Sequence, residues 1–85
     1  MHMICRQRVA DFPTWKSVFD SHAAAQQAAG LFVQNVWRNR GDPKDIFFLF
    51  EVKDEQKARA FVTAPSAREA LRKSKSQPPD IWFVD

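Results

Sequence analysis

Cysteine is almost missing from this sequence. The only one is Cys5, so no intramolecular disulfide can brace the chain. Glycine is nearly as scarce: two glycines leave no Gly-rich loop to cradle a phosphate. No apolar run approaches the roughly 20 residues of a membrane-spanning helix, so no membrane association is expected. The opening Met1-His2-Met3-Ile4-Cys5 runs into Arg6 and Arg8, which is not the profile of a signal peptide. A lone cysteine without such a leader suits a reducing compartment, and the cytoplasm is the expected location. Histidine occurs twice; His2 lies near a terminus, and His22 has no second His, Cys or carboxylate at metal-ligand spacing. No metal site is therefore expected. No Ser-His-Asp or Cys-His arrangement and no cofactor motif can be drawn from the sequence, so no cofactor is expected.

Charge is also modest. Thirteen basic and ten acidic residues leave a net +3. Arg68, Arg72, Lys73 and Lys75 gather late, where cations suit the last turn of a helix. Aromatic residues are not interleaved with them as a base-stacking platform requires, so nucleic acid is not an expected partner.

What the chain does have is apolar strands. Asp45-Ile46-Phe47-Phe48-Leu49-Phe50-Glu51-Val52 is short, aromatic and β-branched, which favours a strand over a helix. Alternation sends Ile46, Phe48, Phe50 and Val52 to one face and Phe47 and Leu49 to the other. Both faces must then be covered. Around this strand the pattern reads in order. Met3 to Val9 is a strand. Asp11 caps a helix, with Pro13 in its first turn and Phe12, Trp15, Phe19 and His22 at helical spacing on one face. Ala23 to Ala29 continues that helix to Gly30. Leu31 to Arg40 is a strand on which Leu31, Val33 and Trp37 share one face and Phe32 and Val36 the other. Gly41-Asp42-Pro43-Lys44 is the turn into the central strand. Asp54 caps a second helix, Pro65 interrupts it, and Ser66-x-x-Glu69 reads as a capping box that restarts it. Asp80 to Val84 is a last strand, apolar on both faces.

Strand, helix, strand, strand, helix, strand defines a single α+β domain over 1–85, a ferredoxin-like βαββαβ fold with a four-stranded antiparallel sheet. Right-handed crossovers put strands one and three in the centre. Both helices then cover one face, and the other is left apolar and bare. A domain of this size hides only about 60–68% of its unfolded surface, so a partner would help it. A second copy of the chain, sheet against sheet, is the expected partner.

Val9-Ala10-Asp11-Phe12-Pro13-Thr14-Trp15-Lys16-Ser17-Val18-Phe19-Asp20, Ala28-Ala29-Gly30, Arg38 to Pro43, Val52 to Phe61 and the Pro65-Ser66 break together resemble the dimeric α+β barrel superfamily. That superfamily includes antibiotic biosynthesis monooxygenase-like domains, cyclase-like proteins and small stress-responsive proteins. The resemblance covers nearly the whole chain. It implies a dimeric barrel with a cavity between sheet and helices. It implies no single activity, since members include oxygenases, haem-degrading enzymes and isomerase-like proteins. The chain has no tyrosine, a group that some of those enzymes use.

Within that frame His22 is the candidate catalytic residue. On the face of Phe12, Trp15 and Phe19 it points toward the sheet, as a proton-transfer group or a haem-iron ligand. It reads equally as a core-edge histidine satisfied by a backbone carbonyl or by Gln26. Room beside it is expected from the small side chains Ala25 and Ala29. Trp15, Phe19, Trp37 and Trp82 are candidates to line a pocket for a small apolar or aromatic ligand, or else fill the core and the dimer interface. Arg38, with Arg40 on the same strand face, can hold a carboxylate or remain solvated. Two functions stay open: a ligand-binding dimeric barrel, and a cofactor-independent monooxygenase or cyclase acting on an aromatic or polyketide-like substrate through His22.

Overall fold

The computed structural model describes residues 1–85. Eight elements follow in order: β1 (His2–Arg8), α1 (Phe12–Ser21), α2 (Ala23–Ala28), β2 (Leu31–Asn39), β3 (Asp42–Val52), α3 (Glu55–Val62), α4 (Pro65–Ser74) and β4 (Asp80–Val84). The strands form one antiparallel sheet ordered β2-β3-β1-β4, so the most apolar strand is central and β2 and β4 are the edges. This is the expected ferredoxin-like architecture. No helix is long and apolar enough to cross a membrane.

The helices cover one face. Met3, Cys5, Leu31, Ile46, Phe48, Phe50 and Val52 rise from it to meet Trp15, Ala29 and Ala58, with Phe19 and Phe61 packed alongside. Asp11 caps α1 by accepting the Thr14 amide at 2.9 Å, and Asp54 caps α3 by accepting that of Lys57 at 3.1 Å. Both fill the role their residue type predicts.

Four local readings are corrected. The helix expected to run unbroken to Gly30 is interrupted at His22. Its Nδ1 lies 2.8 Å from the Val18 carbonyl, the acceptor that its own amide would use in a continuous helix. The amide turns instead to Phe19 at 3.1 Å, a tighter turn that divides α1 from α2. The Ser66–Glu69 capping box does not form. Ala64 takes the cap position with Pro65 opening α4, and Glu69 pairs with Arg72 at 2.6 Å. The hairpin turn is shorter than expected: Asn39 already pairs with Asp42, leaving Arg40 and Gly41 as the link. Finally, a bulge between Val33 and Asn35 adds one residue to β2. Beyond it, side-chain parity flips. Val36 pairs with Phe48 on the helix side, whereas Trp37 pairs with Phe47 on the open side.

Gly30 closes α2 at φ +76°, and a Cβ there would stand 2.9 Å from the Asp54 amide nitrogen. Gly30→Ala is therefore expected to cost about 1–2 kcal/mol from the left-handed backbone alone, and more from the contact. Urea denaturation measures it; an unchanged midpoint would mean that the α2–β2 corner relaxes freely.

The face without helices carries an apolar patch, as the strand pattern predicts, flanked by His2, Arg6, Glu51 and Asp80. One transverse row runs Trp82, Ile4, Leu49. The next runs Asp80, Arg6, Phe47, Trp37. Trp37 is 50% and Trp82 51% exposed. Polar groups close one end of the sheet. Arg6 forks onto Asp45 at 2.9 and 3.0 Å, and Asn39 donates to the same carboxylate at 3.0 Å. Those bonds, Arg6 first and then Asn39, hold Asp45 below the usual carboxylate range.

Candidate functional site

A cavity of about 140 Å³ lies between the helix layer and the sheet. Its floor is β1 and β3, where Met3, Gln7, Phe48 and Phe50 point inward, with Ile81 from β4 beside them. Trp15 and Phe19 of α1, with His22 at its C-terminal cap, form one wall. Ala67, Ala70, Leu71 and Ser74 of α4 form the other. The rings of Trp15 and Phe19 stack at 4.6 Å between centroids, and each leans on Phe48 at 5.3 Å. A flat, mostly aromatic surface results.

Trp15 is held in place by a polar relay. Its indole N–H donates to Gln7 Oε1 at 2.8 Å, and the Gln7 amide donates to the Gln77 carbonyl at 2.9 Å. Both side chains are buried, so each bond satisfies a group that would otherwise be desolvated without a partner. The relay also ties the loop after α4 back to β1, reinforced by the Gln77 amide on the Arg8 carbonyl at 3.0 Å.

His22 is half-buried at the cavity edge. The Val18 carbonyl can only accept, so the bond at 2.8 Å assigns the proton of the neutral imidazole to Nδ1. Nε2 then carries the lone pair and has no partner within the chain. Gln26 stands next to it, 5% exposed, with its amide directed to the Phe19 carbonyl at 3.4 Å. Its Oε1 has no partner in the chain and is not sealed from outside. The lining thus offers an aromatic floor, one basic nitrogen and one free amide oxygen.

Of the residues picked out by sequence, Trp15, Phe19 and His22 meet here. Trp37, Arg38 and Trp82 do not line the cavity. Trp37 and Trp82 stand on the opposite face of the sheet, the former moved there by the β2 bulge. The Arg38 guanidinium lies over the Phe12 ring at 4.7 Å, at the outer end of α1. The space beside His22 also has a different origin from the one expected. Ala25 is exposed and Ala29 is absent from the lining, while Ala67 and Ala70 on α4 are the small residues that leave the gap. Among the other lining residues, the sequence offers Gln26 only as a hydrogen-bond partner for His22 and Arg68 only as part of the late basic cluster, while Gln7 had a signal of its own: a polar residue in inward register after Met3 and Cys5.

Cys5 lies fully buried under the cavity floor, and burial pushes its thiol up to about 12. Buried and held as the thiol, Cys5 is inert in the native chain. Iodoacetamide at pH 8 is expected to leave the folded chain unmodified for hours and to label it fully in guanidinium. Stoichiometric labelling of the native chain would show that the floor opens. No group of three or more His, Cys, Asp or Glu side chains is placed to hold a metal ion. The cavity volume is also well below the roughly 300–1,000 Å³ of ordinary cofactor and ligand pockets.

An antiparallel βαββαβ sheet with one helix-covered face, a small aromatic cavity beneath the helices and one open face defines a ferredoxin-like α+β fold. Solved structures agree. The chain matches an antibiotic biosynthesis monooxygenase over 100% of its own length and 97% of the other, at TM-score 0.62 and 12% identity. SnoaB, a cofactor-independent oxygenase from Streptomyces nogalater, aligns with 99% of this chain over 91% of its own, at TM-score 0.62 and 15% identity. A Deinococcus radiodurans protein provisionally designated an antibiotic biosynthesis monooxygenase gives TM-score 0.66 and 12% identity over 100% and 93% of the two chains. These likenesses establish the antibiotic biosynthesis monooxygenase-type fold. No protein-family model and no curated protein sequence matches the chain.

Proposed function

We propose that this chain binds a compact apolar, aromatic-type molecule in the cavity between α1 and α4, and that Nε2 of His22 takes a proton from it. The observation that carries the reading is an imidazole with a free Nε2 beside an aromatic cavity of about 140 Å³. The Val18 carbonyl keeps Nδ1 protonated, which orients the ring and stabilises the imidazolium formed on proton uptake. Removing a proton from a phenolic O–H or an activated C–H leaves an electron-rich anion, the form in which an arene reacts with dioxygen. The shared fold with SnoaB, itself a cofactor-independent oxygenase, supports this chemistry. Binding without turnover is the second reading. It is favoured by the lack of any other acid–base group on the lining that could return the proton, since Cys5 stays a thiol.

One pair of measurements separates them. The wild-type chain is expected to accelerate dioxygen uptake by hydroquinone, a one-ring dihydroxyarene, above the buffer rate. His22→Ala is expected to fall to the buffer rate while binding the arene within about threefold of wild type, because the base contributes about 10²–10⁴-fold to such a step. Equal uptake by the two proteins would leave only the binding function.

The reading includes a homodimer formed through the open sheet face. Its support is the apolar row Trp82, Ile4, Leu49 with Phe47 and Trp37 beside it, a contiguous patch of a kind that marks an interaction surface. The lone thiol supports a reducing location, and we assign the protein to the cytoplasm.

A further inference from the structure

We infer that the cavity is selective for a one-ring aromatic anion, with Arg68 receiving the negative group at its mouth. The inference rests on the ligand-binding reading above and adds the class of ligand. Size comes first. An apolar cavity of about 150 Å³ accommodates benzene. The cavity here, about 140 Å³, holds one ring and not a fused polycycle.

Charge comes second. Three ionisable side chains line the cavity: Arg68, His22 and Cys5. Cys5 remains a neutral thiol at physiological pH. No aspartate or glutamate lines it, so the only fixed charge on the lining is the Arg68 guanidinium. That guanidinium makes no hydrogen bond or ion pair within the chain. The adjacent carboxylate, Glu69, is committed to Arg72 through two bonds of 2.6 and 3.1 Å. Arg59 is similarly held by Glu55 at 2.7 Å. Among the arginines of α3 and α4, Arg68 is the one on the cavity and the one left without a carboxylate. Its planar fork matches a carboxylate in geometry as well as charge.

The arrangement places a ring over Phe48 between Trp15 and Leu71 and its acid group toward Arg68 at the solvent side. His22 faces the ring from the α1 wall. The anion therefore sits apart from the proton-transfer nitrogen, so recognition and chemistry use different groups.

Benzoate and benzamide test this, since they share a shape and differ in charge. Each is titrated into ¹⁵N-labelled wild type, Arg68→Gln and Arg68→Lys, and the amides of His22, Ala70 and Leu71 report occupancy of the cavity. Wild type is expected to bind benzoate about tenfold more tightly than benzamide, the scale of a hydrogen bond to a charged group. Arg68→Gln is expected to abolish that preference without changing benzamide affinity, and Arg68→Lys to keep part of it. Arg68 is exposed, so both variants should fold, and far-ultraviolet circular dichroism checks that they do. Equal binding of the two probes by wild type, or a benzoate preference that survives in Arg68→Gln, overturns the anion selectivity and leaves the ligand-binding reading standing. If neither probe nor toluene shifts the cavity amides, both readings fall together.

Discussion

Phe50→Ala is expected to destabilise the protein by about 3–5 kcal/mol, the cost of removing a buried aromatic ring from a core. Phe50 is 3% exposed on the central strand, paired with Met3 on β1 and Val33 on β2. Its ring meets those of Phe19 and Phe48, each at 5.8 Å between centroids. The loss should lie toward the upper end of that range. The existing cavity adjoins Phe50, so the vacated space merges with it and cannot be filled by a small inward shift of neighbours. Small domains have about 5–15 kcal/mol in total, so the variant would retain a reduced urea midpoint or unfold outright. A loss below about 1 kcal/mol would mean that β3 does not carry the core. Where the variant remains folded, the enlarged cavity should admit a bulkier arene than wild type does.

Ile4→Asp is expected to dissociate the proposed dimer and leave the protomer folded. Ile4 occupies the middle of the open face, flanked by Trp82 on one side and Leu49 on the other. A carboxylate there would be desolvated without a partner on association, and its image in the second copy would face it across the two-fold axis. A penalty of about 3 kcal/mol or more is the scale of an interface hot spot, and it raises the dissociation constant at least about a hundredfold. The protomer should tolerate the change because Ile4 points away from the helix-side core that Met3 and Cys5 enter. Sedimentation at micromolar concentration reads both outcomes. The wild type is expected at twice the chain mass with more than about 1,200 Å² buried, and Ile4→Asp at the chain mass with an unchanged circular dichroism spectrum. A wild-type monomer under those conditions would remove the homodimer.

Much of the fold is legible from local pattern. The six-part element order, the caps Asp11 and Asp54, the central place of β3 and the apolar residues on both of its faces follow from periods of two and 3.6 residues and from cap chemistry. These are properties of neighbours along the chain, so the chain order displays them. Three members of the candidate site, Trp15, Phe19 and His22, were legible for the same reason: they share one stripe of one helix.

The rest depended on assembly. One extra residue at Gln34 reversed every later side chain of β2, and nothing in the composition of Leu31–Asn39 marks where the ladder slips. Gln26 lies four residues beyond His22 on the stripe of Trp15 and Phe19, while Ala25 falls to the exposed side, so the space beside His22 is not opened by Ala25. The cavity exists because Ala67 and Ala70 face Trp15 and Phe19 across a gap set by the two helix pairs and the sheet. Its volume is a difference between large sums of side-chain volumes from all eight elements. Arg68 lines it without a carboxylate partner, since the adjacent Glu69 pairs with Arg72. Strand order, caps and two-sided apolarity are thus determined by the sequence itself, because alternation and capping act between near neighbours. Which side chains share an enclosed space is decided only by the tertiary structure, because that depends on offsets of single residues between distant elements.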